Sequence, residues 1–77
     1  MQTPITSPES LGSALREARR RRGLRLEDVA LGAGVGIRFV SELERGKPTA
    51  RLAETLRVAS ALGLSIAIED PLEPPSA

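Results

Sequence analysis

Residues 26–45 read LEDVALGAGVGIRFVSELER, and this stretch decides the fold. Leu26, Val29, Ala30 and Ala33 recur at the three- and four-residue spacing of a single helix face, which predicts a helix over 26–33. Gly34-Val35-Gly36 is a tight connection. A further helix is predicted over 37–45, stopped by Gly46 and by Pro48 shortly after it. Two short helices joined so closely cross steeply, and the crossing point needs a small side chain, which Ala30 supplies. The turn needs a residue that tolerates positive φ, which Gly34 supplies. Val29, Val35, Val40 and Leu43 are then left to close the small core between the helices. Each position has its own physical reason, and together they specify a helix-turn-helix rather than an ordinary helical hairpin.

Upstream, Ser7-Pro8-Glu9 reads as a helix start: a hydroxyl cap, proline at the first helical position, then an acid near the positive helix end. Ser10 is the alternative cap. Leu11, Ala14, Leu15 and Ala18 carry that helix towards Gly23. Downstream, Thr49 or Arg51 precedes a fourth helix over 52–62, with an apolar stripe of Leu52, Leu56, Ala59 and Gly63 widened by Thr55, Val58 and Leu62. After Gly63 the period changes. Leu64, Ile66 and Ile68 alternate with Ser65, Ala67 and Glu69, the two-residue repeat of a strand, and Asp70-Pro71 closes it. A lone strand is not stable in a monomer, so the same strand of a second copy is its expected partner, paired antiparallel across a two-fold axis, the alternative being an irregular tail packed on the fourth helix. The expected organisation is a flexible arm over 1–9, a helix-turn-helix domain over 10–63, a dimerisation strand over 64–70 and a flexible tail over 71–77.

The composition excludes most chemistry. The chain has 77 residues, no Cys, no His, and Phe39 as its single aromatic side chain. Disulfides, thiolate nucleophiles, Cys/His metal sites and imidazole-based triads are therefore ruled out, and neither a cofactor nor catalysis is expected. No apolar run approaches the ~20 residues needed to cross a bilayer, so no membrane partner is expected and a cytoplasmic setting is. Residues 1–57 hold all 11 basic side chains against 7 acidic ones, leaving +4, whereas residues 58–77 hold three acids and no base, leaving −3. Six arginines fall within residues 16–25. Such segregation points to a polyanion on one side of the molecule and something else on the other.

The segment from Leu11 to Asp70, and GVGIRFVSELERGKPTARL within it above all, resembles the Xre/phage-repressor-type helix-turn-helix family. The strand LSIAIED in place of a fifth helix is similar to the short HipB-like antitoxin branch. The resemblance implies a mainly α fold, a four-helix lambda-repressor-like helix-turn-helix domain with one C-terminal β-strand pairing across a homodimer through Leu64, Ile66 and Ile68. It implies a bacterial, nucleoid-associated repressor that binds a palindromic double-stranded DNA operator and partners a HipA-like kinase toxin. Position by position, it places Gly36, Ile37 and Arg38 at the start of a recognition helix, with Ser41 and Glu42 one turn on, where the family reaches base edges. Arg38 has the fork for a bidentate contact to guanine and Ile37 the methyls to pack on thymine; Ser41 is equally a phosphate or a base contact, and Glu42 either accepts from cytosine or, near phosphates, is a repulsive specificity filter.

Arg45, Lys47, Thr49 and Arg51 follow that helix as phosphate anchors, with the Gly46 amide beside them. Where the family often has Thr-Gln this chain has Arg25-Leu26, so a cap and a phosphate-binding amide are missing, and Arg25 is the candidate replacement anchor. The usual hydroxyl cap of the recognition helix is here Gly36. Arg19 matches a family position whose guanidinium pairs internally with the acid matching Glu44, which assigns both to structure. The remaining arginines of the first helix form a solvated face, and Phe39 fills the edge of the core. The alternative is an interaction protein that mainly inhibits or recruits a partner, its acidic C-terminal end forming the contact surface and DNA binding being secondary.

Overall fold

Ser7 starts the first helix because its hydroxyl accepts from the Ser10 amide at 3.0 Å, while Ser10 Oγ accepts from the Ser7 amide at 3.0 Å and the Thr6 amide at 2.9 Å. This reciprocal cap satisfies donors that a helix N-terminus otherwise leaves unpaired. The computed structural model describes residues 2–72, and four helices make up its regular structure: α1 (Pro8–Arg21), α2 (Leu26–Ala33), α3 (Ile37–Glu44) and α4 (Leu52–Ala61). All four stop in the same way. A glycine takes a left-handed φ, and the next residue donates its amide to a carbonyl five positions back: Leu24 to Arg19, Val35 to Ala30, Lys47 to Glu42, Leu64 to Ala59, at 2.9–3.1 Å. At Gly34, with φ 68° and ψ 37°, this reversal is also the turn of the helix-turn-helix.

The core is one cluster of Leu15, Ala18, Val29, Ala30, Ala33, Val40, Leu43, Val58, Ala59 and Leu62, with Leu11, Leu24, Val35 and Phe39 packed against it. Thr55 is its one buried polar residue, and its hydroxyl donates to the Arg51 carbonyl at 2.7 Å. Small residues set the helix spacing. Ala30 lets α2 approach its neighbours, and Gly12 does the same for α1: a Cβ there would stand 2.5 Å from the Leu43 carbonyl oxygen and 2.7 Å from that of Glu44. Gly46 is equally tight, because its Cβ would meet the Glu9 Cα at 2.9 Å. The last turn of α3 and the loop after it are therefore seated on the first turns of α1. Arg57 ties α4 to α2, its Nε donating to the Ala33 carbonyl at 3.2 Å.

Two expectations are corrected. The described residues contain no β-strand: 65–70 run as exposed, irregular chain, so the strand over 64–70 and its Leu64, Ile66 and Ile68 ladder are absent. Alternation specifies which side chains share a face, but a ladder needs a second strand, and these 71 residues offer none. Leu64 alone packs on the helices, while Ile66 and Ile68 are exposed. The stripe on α4 also sits differently. Leu52 and Leu56 are 71% and 45% exposed, and the buried face is Thr55, Val58, Ala59 and Leu62. Met1 of the expected arm and residues 73–77 of the expected tail lie outside the described residues.

Candidate nucleic-acid interface

The N-terminus of α3 emerges from the domain with its first residues turned outward. Val40 and Leu43 are buried, which fixes the helix in the core and leaves Gly36, Ile37 and Arg38 on the surface. Gly36 is the N-cap, with extended φ and ψ, and offers no side-chain cap. The Arg38 side chain is 90% exposed, free to reach a ligand laid across the helix. Ser41 and Glu42 are half-buried one turn on, at the flank of the same surface.

An open groove of about 390 Å³ runs between α3, the loop after it and the start of α4, and Arg38, Glu42, Lys47, Thr49 and Arg51 line it. Glu42 stands between two of its cations, with Lys47 Nζ at 3.4 Å and Arg38 Nε at 3.9 Å. Arg51 Nε pairs with Glu54 of the first α4 turn. Arg45 is exposed beside the groove and has no acid within 4.0 Å among the described residues. The structure thus brings Arg38, Glu42, Lys47, Thr49 and Arg51 to one surface.

Arg25 lies at the N-terminus of α2. Its amide donates to Asp28 Oδ2 at 2.8 Å, and its side chain is exposed, 3.5 Å from the same carboxylate. The hydrogen bond from the Arg25 amide, opposed by desolvation and helped by the Arg25 side chain, holds the Asp28 carboxyl below the ordinary carboxylate range. Asp28 therefore makes the reciprocal half of a capping box, reaching back from the third helical position to the N-cap amide, while the half that a hydroxyl at position 25 would make is absent.

Arg19 does not reach the groove. It makes two bonds to Glu44, Nε to Oε2 at 2.7 Å and Nη2 to Oε1 at 3.0 Å, and a third from Nη1 to the Leu24 carbonyl at 2.9 Å. The two side chains are only 14% and 8% exposed. The hydrogen bond to Glu44 raises the Arg19 pKa above its already high ordinary value, with burial working against it. This fork joins α1, the end of α3 and the turn before α2, so it sets the angle at which α3 is presented. Sequence reasoning passed over Gly12, Arg57 and Glu54. A glycine inside a helical pattern signals a close approach, and opposite charges three apart, as in Arg51 and Glu54, signal a pair.

Comparison with known proteins agrees with this geometry. A family model described as a helix-turn-helix domain matches residues 10–72. An uncharacterised HTH-type transcriptional regulator of Sinorhizobium fredii is 42% identical over 73 residues, covering 95% of this chain and 96% of the relative. The restriction-modification controller protein C.AhdI from Aeromonas hydrophila superposes with a TM-score of 0.69 at 33% identity, over 75% of this chain and 88% of its own. A chain of a HipA–HipB–O2–O3 complex superposes with a TM-score of 0.83 at 24% identity, over 94% of this chain and all of its own, a likeness of fold.

Proposed function

Since the chain belongs to the helix-turn-helix family of transcriptional regulators, we propose that it binds double-stranded DNA sequence-specifically as a homodimer and represses transcription from a palindromic operator. In this reading it works in the cytoplasm, at the nucleoid, and is the antitoxin of a HipBA-like pair, restraining a HipA-like kinase. The observation that carries the DNA-binding reading is the free N-terminus of α3, with Arg38 extended from a helix otherwise locked in the core, beside a groove lined by Lys47, Thr49 and Arg51. Gly36, Ile37, Arg38, Ser41 and Glu42 read base edges, and Arg25, Arg45, Lys47, Thr49 and Arg51 hold phosphates. Arg19 and Glu44 hold the reading helix in place. The superposition on HipB, taken from a complex with HipA, supports the choice of partner.

Titration of the purified protein against the DNA upstream of its own gene and against a scrambled duplex, across a salt series, tests the reading. Tighter binding of the upstream duplex is the expected result, with an affinity that falls as salt rises. Equal affinity for both duplexes sinks the sequence-specific role. Co-purification with a kinase encoded beside it tests the antitoxin role, and a neighbouring kinase that does not bind removes it.

A further inference from the structure

Each of the three cations that line the groove has an acid of the same chain within 4.0 Å. Glu42 takes Lys47 at 3.4 Å and Arg38 at 3.9 Å, and Glu54 takes Arg51. The groove is therefore lined by three positive charges and one negative, with Glu54 paired to Arg51 as a second negative charge. We propose that Glu42 and Glu54 are built-in counter-ions of the DNA-binding surface, which occupy its cations in the free protein and hold down its affinity for non-operator DNA. The proposal rests on the DNA-binding reading above and adds Glu54 to the residues that set the affinity of the surface.

A salt counter-ion released from a binding surface diffuses away, and its release favours the complex. A carboxylate tethered to the next helical turn does not leave. A phosphate that takes Lys47 or Arg51 ends up beside Glu42 or Glu54 and meets a like charge. Glu54 is only 15% exposed in the first turn of α4, where the helix N-terminus also favours an anion, so it has little room to swing aside. The resulting cost falls on every sequence, and at Glu42 the operator recovers part of it. Non-specific binding is almost wholly electrostatic and has nothing to set against it. Operator binding adds base-edge contacts from Ile37 and Arg38, and at the operator Glu42 also gains a donor wherever a cytosine faces it. A genome offers a vast excess of non-operator sites, so a cost that the operator recovers in part at Glu42 favours the operator over them.

Binding of a short mixed-sequence duplex, with no operator needed, tests the proposal in Glu54→Gln and Glu42→Gln. Glu17→Gln, on the exposed face of α1, makes the same charge change away from the groove. The expected result is roughly two- to fivefold tighter binding in each groove variant, the scale of an exposed ion pair, with a smaller gain in Glu17→Gln. An equal gain in Glu17→Gln overturns the proposal, because net charge alone then accounts for it. Weaker binding in both groove variants also overturns it, because the acids then serve to position the cations. Should Glu54→Gln lose its helical spectrum, Glu42→Gln decides alone. Wild-type protein that binds no duplex at low salt removes the DNA-binding reading itself, whereas wild-type binding without a gain in the variants removes only the counter-ion role.

Discussion

Arg38 and Arg19 are the same residue type, and their surroundings give them opposite work. Arg38 has an exposed side chain at the N-terminus of α3, with Glu42 one turn on at 3.9 Å and outside hydrogen-bond distance, so its fork is available. Arg38→Ala is expected to cost about 1–3 kcal/mol on the operator and to relax the preference at one base pair per half-site, measured by titrating single-base operator variants. An equal loss on scrambled DNA would move Arg38 to the phosphate contacts. Arg19 spends its donors on Glu44 and the Leu24 carbonyl. Removing either partner leaves the other charge buried, so Arg19→Ala and Glu44→Ala are each expected to lose about 3 kcal/mol in urea unfolding. The double variant should lose less than the sum of the two, since the second truncation removes the orphan left by the first. Strict additivity would show that the pair has no coupling in solution.

At the scale of the elements, the helices were legible because each carries both its period and its punctuation. The interval from Leu26 to Ala33 follows from the apolar spacing and from Gly34, and the structure has those same bounds. The C-terminal segment was misread because alternation is a property of one segment whereas a strand is a property of a pair. The face of α4 was misplaced for a related reason: Leu52, Leu56, Val58, Ala59 and Leu62 span more than one face, and only the packing of α4 on α2 selects between them. The α2 start shows what local pattern does convey. Arg25 is no cap by residue type, yet Asp28 three positions on accepts its amide. The folded pKa of Asp28 lies below its unfolded value, so its contribution is present above the unfolded value and is lost as pH falls through the folded one. Asp28→Asn is therefore expected to lower stability at neutral pH, and its difference from wild type should fade on acidification below about pH 4, the unfolded carboxylate range. Unfolding curves of the two proteins at several pH values check this, and a difference that persists in acid would place the effect elsewhere.

For the whole molecule, charge and burial divide at the end of α4. Among the described residues, the basic excess and every buried side chain lie before Gly63, while Ile66, Ile68 and Leu72 after it are exposed along with Glu69 and Asp70. A domain of this size sits near the lower limit for independent folding, so any segment that contributed burial would be felt in its stability. Leu64 is the last described residue that contributes: it packs on the core and its amide closes α4 on the Ala59 carbonyl at 2.9 Å. A chain ending at Leu64 retains both features and every residue of the groove. It is expected to keep its helical far-UV spectrum and to melt within about 5 °C of the full chain, a window worth roughly 1 kcal/mol in a domain of this size. A chain ending at Leu62 lacks the glycine that reverses the backbone and the amide that follows it, and it should melt lower. A larger drop in the Leu64 chain would mean that residues 65–77 bury surface in solution, and the four helices would then not suffice for the fold.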